Sequence, residues 1–176
     1  CNNEIRQILA NPNAYRNPNQ SASNKDIGLD KNCNVINLDM WVGKNREGIP
    51  YTIYVKDEHN MNEVILSGGH SPATSAANVI NGEVQTPIPQ YILFDGDEEF
   101  LPVTSIKSVF GRYGSSEYVY NETIEDYEEV VYPIITKIPD LPITVKEIGC
   151  DSVRFQDIQS VVIPKQIEKI DFEALS

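Results

Sequence analysis

Residues 141–153 read LPITVKEIGCDSV, and residues 163–175 repeat that pattern as IPKQIEKIDFEAL. The offset is 22 residues, and it brings apolar residues into correspondence along both stretches. The matched pairs are Leu141 with Ile163, Pro142 with Pro164, Val145 with Ile167, Ile148 with Ile170, Cys150 with Phe172 and Val153 with Leu175. A repeat of roughly 20–29 residues with fixed aliphatic positions is typical of a solenoid, because each unit has an apolar edge that only its neighbour can cover.

The second unit resembles the BspA-like leucine-rich repeats, whose units run as a short strand followed by "IP…V..I…AF..C". The matching residues are Val161, Val162, Ile163, Pro164, Ile167, Ile170, Phe172, Ala174 and Leu175. In two respects the chain departs from the pattern. Phe172 precedes the alanine, and the Gly149-Cys150 pair occurs only in the first unit. The match covers about 36 of the 176 residues.

The repeat predicts a core made of one set of aliphatic side chains, namely Val145, Ile148, Ile163, Ile167 and Ile170. We expect a strand at Val161–Ile163 beside an equivalent one near Ile138–Leu141, with Ile148 and Ile170 stacked in one core. A stable array needs three or more units. We therefore expect either that the chain continues beyond Ser176 or that the preceding domain caps the stack.

The N-terminus suggests a membrane anchor. Proteins with BspA-like repeats are mostly surface-exposed or secreted binding proteins, and many are bacterial lipoproteins, which are cut just before a cysteine that becomes the lipid-bearing first residue. The chain begins at Cys1, and a short helical pattern at Glu4–Ala10 precedes the polar segment NPNAYRNPNQSASN at residues 11–24. As a flexible tether, that segment would span roughly 20 Å on average. The resemblance thus implies a lipid on Cys1 and a place on the outer membrane, facing the cell surface.

The middle of the chain predicts short strands joined by turns. Tyr51–Lys56 (YTIYVK) and Glu63–Ser67 form one predicted hairpin, and Asn81-Gly82 is a dipeptide favoured by type I′ turns. Tyr91–Phe94 and Phe100–Val103 form another hairpin across an acidic loop. Only Thr123–Val130 has a plausible helix start, which favours an N-terminal turn at most.

These patterns predict a mainly β protein, with a β-sandwich-like or open-barrel domain followed by the start of a leucine-rich-repeat solenoid. The predicted division is an N-terminal anchor and polar tether at residues 1–26, a β-rich domain at residues 27–137 and a leucine-rich-repeat-like segment at residues 138–176.

Charge excludes two classes of partner. The formal net charge is −12, from 14 basic and 26 acidic residues. No cluster of Lys and Arg is present to neutralise phosphates, so nucleic acid is excluded as a partner, and an anionic membrane would be reached only through a lipid anchor. Ten of the acidic residues lie between Asp95 and Glu129, against Lys107 and Arg112, which predicts a solvated acidic face.

The sequence contains no specific catalytic pattern. His59 lies in a polar turn, and His70 lies in SGGHSP, where a neighbouring serine is too close along the chain for triad geometry. The loop Asp95–Glu99 lacks the twelve-residue spacing of an EF-hand. Cys33 and Cys150 could form a bridge or stay as free buried thiols, and Trp41 with the nine tyrosines could form a sugar-stacking platform where exposed. We predict no metal and no cofactor.

Function follows from the resemblance more than from any single residue. The predicted function is a non-enzymatic cell-surface lipoprotein, active in nutrient uptake or adhesion, that binds a partner protein or a polymeric nutrient. A TonB-dependent outer-membrane transporter complex is the kind of partner that such proteins serve. The alternative is a structural or docking component of an extracellular or viral assembly, and a hydrolase using His59 or His70 comes third.

Overall fold

A computed structural model describes residues 1–16, 25–44, 47–67, 79–110, 116–131, 134–150, 152, 158–159, 161–171 and 173–175. One α-helix, α1 (Asn2–Ala10), precedes the strands, and two short 3₁₀ turns lie at Pro12–Ala14 and Leu38–Trp41. The strands of the described ranges are β1 (Ile27–Leu29), β2 (Val35–Ile36), β3 (Val42–Lys44), β4 (Pro50–Thr52), β5 (Tyr54–Asp57), β6 (Asn60–Ser67), β7 (Val79–Ile80), β8 (Glu83–Val84), β9 (Tyr91–Leu93), β10 (Leu101–Lys107), β11 (Ser116–Asn121), β12 (Asp126–Val131), β13 (Glu147–Ile148) and β14 (Lys169–Ile170).

The largest sheet has eight strands and is organised around β10. The first residues of β10 pair antiparallel with β9, while β6 and β13 pair parallel with its later residues. Strands β6 and β13 both pair with Ser105 and Ile106, so they lie on opposite edges of β10. Strand β14 continues the parallel set from β13, and β1 and β2 continue the antiparallel set from β9.

The mainly β prediction is confirmed, but the sheets are mixed. A succession of hairpins, as predicted, produces only antiparallel pairs, whereas parallel pairs need longer crossover connections. The parallel ladder β6–β10–β13–β14 requires such connections. Within the described ranges the strands close no barrel. Three further pairs, β3–β4, β7–β8 and β11–β12, each form a separate two-stranded sheet.

The three predicted hairpins are confirmed. Strands β5 and β6 pair antiparallel, as do β9 and β10. Strands β7 and β8 pair across Asn81 and Gly82, whose φ angles are 50° and 79°. Positive φ at both central residues is what a type I′ turn requires, which explains the Asn-Gly sequence.

The predicted boundary at residue 138 does not separate two cores. A single cluster of buried side chains joins Trp41, Tyr54 and Phe110 of the middle segment to Val145 and Ile148 of the C-terminal segment. The polar atoms of the large aromatic residues are satisfied there: Trp41 Nε1 donates to the Pro87 carbonyl at 3.0 Å. Because apolar burial is shared across residue 138, the C-terminal segment is part of the same packed body.

The N-terminal helix packs against the body of the protein. Ile8 is fully buried against Ile27, Leu29 and Leu93, on strands β1 and β9. An amphipathic helix this short gains most of its stability from such packing. The buried side of α1 is thus covered by the chain itself, while Leu9 remains exposed.

The described residues that flank positions 17–24 of the predicted tether lie close together. Arg16 Nε donates to the carbonyl of Lys25 at 3.0 Å, and both side chains lie within 4.0 Å of the Asp95 carboxylate. Residues 17–24 fall outside the described ranges. Since the two ends of that segment meet on the same body, the segment does not set a 20 Å distance between Cys1 and the β domain.

We expect Gly82→Ala to be more destabilising than Gly96→Ala. Both glycines have φ near +80°, so alanine at either position would cost about 1–2 kcal/mol of backbone strain. A Cβ at Gly82 would also lie 2.2 Å from Thr136 Oγ1, whereas a Cβ at Gly96 would meet no atom within 4 Å. Urea denaturation should therefore show a further loss of about 1–2 kcal/mol for Gly82→Ala. Equal losses would contradict the close approach of Gly82 to Thr136.

Candidate binding surfaces

The two predicted repeat units pair with each other in the predicted register. Strands β13 and β14 run parallel, with Glu147 opposite Lys169 and Ile148 opposite Ile170. Each pair is separated by 22 residues, which is the offset read from the sequence.

The turns and ladder bonds repeat with the same offset. The amide of Val145 donates to the Pro142 carbonyl at 3.0 Å, and that of Ile167 donates to the Pro164 carbonyl at 3.1 Å. Each unit also bonds to the strand before it. Gly149 N donates to Ile106 O at 2.7 Å, and Asp171 N donates to Ile148 O at 3.0 Å. The two units thus share one local backbone conformation.

The predicted strand positions are wrong by several residues. The paired residues are Glu147–Ile148 and Lys169–Ile170, whereas Val161–Ile163 forms no strand and its side chains are exposed. Pro139 interrupts the other predicted strand, Ile138–Leu141. Proline has no amide to donate, so the ladder begins only after the turn that follows Pro142 or Pro164.

The prediction that Ile148 and Ile170 share one core is wrong, because the repeat core is buried only in its inner unit. Val145 and Ile148 are buried, with Ile148 only 1% exposed, while Ile170 is 42% exposed. Ile167 is partly buried against the core, and Ile163 is exposed. The two units differ in burial because their strands occupy different positions in the sheet. Strand β13 lies between β10 and β14, whereas β14 has one partner among the described strands.

An ion-pair group supports the register at the outer strand. Lys169 Nζ lies 3.6 Å from a Glu147 carboxylate oxygen and 3.5 Å from an Asp171 oxygen. The negative charges of Glu147 and then Asp171 raise the pKa of Lys169 above its ordinary value. All three side chains are solvated to some degree, so this group selects the register more than it stabilises the fold.

A second surface is the ribbon formed by β11 and β12. Thr123–Val130, the predicted helix start, is instead the turn and second strand of this hairpin. The alternation Tyr118-Val119-Tyr120 has a period of two, and it outweighs the weak helix signal of the acidic residues. That alternation is the sequence signal for this surface.

One face of the ribbon carries three exposed tyrosines. In the antiparallel register, Tyr118 lies opposite Glu129 and Tyr120 lies opposite Tyr127. Directly opposed residues share a face, as do residues two apart along a strand. The rings of Tyr120 and Tyr127 meet edge to face, with centroids 5.4 Å apart. Tyr118, Tyr120 and Tyr127 are 70%, 50% and 64% exposed, so most of their aromatic surface faces solvent.

The same face includes one oriented carboxylate. Ser116 Oγ donates to Glu129 Oε1 at 2.7 Å, and Ser116 lies on the tyrosine face two residues before Tyr118. We refer to Ser116, Tyr118, Tyr120, Tyr127 and Glu129 as the tyrosine face. None of its members belongs to a core cluster of the described residues.

The structure places three of the four remaining candidates from the sequence. Trp41 is buried, so it does not contribute to an exposed sugar platform. Asp97 pairs with Lys56 at 2.7 Å in the acidic loop. The backbone amide of His59 donates to Asp57 Oδ1 in the β5–β6 turn, and His70 lies outside the described residues. Within the described ranges, no group of three His, Cys, Asp or Glu side chains is placed to hold a metal ion.

The cysteines are paired differently from the prediction. Cys1 and Cys33 form a disulfide, and Cys150 is a free, exposed thiol. A bridge between Cys33 and Cys150 is therefore wrong, as are two buried thiols. A sulfur atom in a disulfide cannot also carry a thioether-linked lipid. In the bridged chain the Cys1 sulfur has no bond left for a lipid, so lipidation of Cys1 stays a prediction that requires this sulfur not to be bonded to Cys33.

Compared with known protein families, with curated proteins and with solved structures, the chain matches none of them. No helix among the described residues has the length and apolar character to cross a membrane.

We expect Ile148→Ala to cost far more stability than Ile170→Ala, although the two residues are equivalent in the repeat. Truncating the buried Ile148 should lower the free energy of unfolding by about 2–4 kcal/mol. Truncating the half-exposed Ile170 should cost about 1 kcal/mol. Chemical denaturation measures both values. Equal losses in the free energy of unfolding would contradict the placement of the first unit inside the sheet and of the second unit at its edge.

Proposed function

We propose that this protein is a non-enzymatic binding protein of an outer cell surface, and that its C-terminal segment is the start of a leucine-rich-repeat stack of the BspA-like kind. The observation that carries the proposal is the parallel pairing of β13 with β14 at the sequence offset of 22 residues. Such stacks present repeated surfaces to protein partners, and they serve recognition more than chemistry.

The open side of the last unit supports the same proposal. Ile163 and Ile170 expose apolar surface on the outer unit, next to a strand with an unpaired edge in the described part of the chain. An open strand edge beside apolar side chains is a natural site for another strand. A further repeat, or a partner that supplies a similar strand, would cover it.

We propose attachment to a Gram-negative outer membrane through a lipid on Cys1, with Cys33 as a free thiol in that form. Helix α1 packs on the β domain, so the anchor would hold the body of the protein close to the bilayer. Stable attachment requires two acyl chains, which a diacylated cysteine provides. This position suits contact with an integral membrane partner, such as a TonB-dependent transporter complex, and a role in nutrient uptake or adhesion.

The second candidate is a structural or docking component of an extracellular or viral assembly. The disulfide between Cys1 and Cys33 favours it, because that bond both occupies the sulfur needed for a lipid and forms in oxidising surroundings. The two candidates differ in the chemical state of Cys1.

The test is to express the natural precursor in its Gram-negative host and to compare Cys1→Ser with Cys33→Ser. We expect Cys1→Ser to release the protein from the membrane fraction, and Cys33→Ser to leave it there. Both variants remove the bridge, so only loss of the anchor separates them. Protease added to whole cells should digest the wild-type protein.

Membrane association that survives Cys1→Ser would contradict the anchor. A wild-type mass that shows the bridge and no lipid would also contradict it and would support the docking component. For the anchored protein, we expect photo-crosslinking from an exposed position such as Val162 to join the wild-type protein to an integral outer-membrane protein. Turnover of a polymer by the purified protein would contradict the non-enzymatic assignment.

A further inference from the structure

We propose that the tyrosine face of the β11–β12 ribbon binds an arginine-rich segment of a partner protein. This inference rests on the proposed binding function and names the chemistry that the partner would present. It concerns neither the residues of the repeat nor Cys1, so its test is independent of theirs.

The first argument is the exposed aromatic area. Tyrosine rings usually bury most of their surface, and large exposed apolar surfaces mark interaction sites. Tyr118, Tyr120 and Tyr127 lie on one face of the ribbon, and each is at least half exposed. The pairing of Tyr120 with Tyr127 fixes two of the rings against each other, which lowers the entropy lost when a partner binds.

The second argument is charge. The ribbon, residues 116–131, contains six carboxylates and no Lys, Arg or His. The carboxylates belong to Glu117, Glu122, Glu125, Asp126, Glu128 and Glu129. Among the described side chains, no salt bridge joins Glu122, Glu125, Asp126, Glu128 or Glu129 to a basic residue of the chain itself. Of the six carboxylates only that of Glu129 lies on the tyrosine face, and the other five positions add to the negative charge of the ribbon around it. A cationic partner would therefore meet complementary charge, and a second copy of this acidic chain would be repelled.

The combination of ring and carboxylate selects arginine among the cations. The plane of a guanidinium stacks on an aromatic ring, and the edge of the same group donates paired hydrogen bonds to a carboxylate. Tyr118 and Glu129 lie directly opposite each other in the register, and Ser116 orients the carboxylate. One arginine side chain could therefore contact both groups. A lysine ammonium offers the charge without the planar stacking surface.

A neutral polysaccharide fits this surface less well. Sugar rings also stack on tyrosine, but a neutral sugar provides no charge to compensate six carboxylates. The aromatic area and the charge together therefore favour the basic protein segment, and binding of a sugar becomes an outcome of the experiment.

The experiment measures binding of an octa-arginine peptide to the full chain by calorimetry, with octa-citrulline as the neutral peptide of similar size. The test variant is the double change Tyr118→Ser with Tyr127→Ser, which leaves the net charge at the wild-type value. We expect the wild-type protein to bind octa-arginine at least tenfold more tightly than this variant, and to bind octa-citrulline at least tenfold more weakly than octa-arginine. Affinity for octa-arginine should fall as salt rises.

Two matched variants separate the role of the rings from general effects. Tyr51→Ser removes an exposed tyrosine on β4, outside the ribbon, and should leave the affinity within about twofold. Tyr118→Phe with Tyr127→Phe keeps both rings, and it should retain the affinity within about threefold. Far-ultraviolet circular dichroism and the unfolding midpoint confirm that every variant is folded.

Three results would overturn the proposal. The Tyr118→Ser, Tyr127→Ser variant could bind octa-arginine as tightly as the wild type, which would indicate only the diffuse attraction of an acidic protein. Octa-citrulline could bind as tightly as octa-arginine. In the third result, neutral oligosaccharides bind the wild-type protein and lose affinity for the Tyr118→Ser, Tyr127→Ser variant, while octa-arginine does not bind. That result would identify a sugar-binding surface instead.

Discussion

Strand β10 is the structural feature on which the rest of the fold depends. It begins as an antiparallel partner of β9 and continues between the parallel strands β6 and β13. Its buried residues include Val103 and Ile106, whose side chains belong to the main core. Because β10 joins the antiparallel and parallel parts of one sheet, the N-terminal strands and the C-terminal units share one core. Without β10, the first C-terminal unit would have no strand on which to stack.

The local features of this fold could be predicted from sequence, and the long-range features could not. The hairpin turns depend on neighbouring residues, so Asn81-Gly82 sufficed to place one of them. The prediction of the 22-residue register was also correct, because that register depends on a repeat within the sequence. The parallel pairing of β6 with β10 joins residues about 40 apart in the chain, and no local pattern encodes such a pair. The same is true of helix α1, whose apolar face indicated burial without indicating the surface against which it packs.

The surfaces were harder to predict than the core. Sequence reasoning assigned Ile148 and Ile170 equal roles, because a repeat pattern doesn't show which unit lies at the edge. Gly149 occurs in the first unit only, and the structure gives a reason for it. A Cβ at Gly149 would lie 2.9 Å from the Ile106 carbonyl of β10, so the first unit needs glycine for close approach. The tyrosine face was missed because the alternation of Tyr118 and Tyr120 fits a half-buried strand equally well, and no local pattern places Tyr127 beside them.

The central claim is that the two C-terminal units stack on β10 in one repeated register. The most direct measurement is the scalar coupling that nuclear magnetic resonance detects across individual backbone hydrogen bonds. The account predicts one coupling between the Gly149 amide nitrogen and the Ile106 carbonyl carbon, and a second between the Asp171 nitrogen and the Ile148 carbonyl carbon. Coupling of the Asp171 amide to a different carbonyl would contradict the register. Absence of that coupling, with the Gly149 coupling present, would show that the second unit does not stack on the first.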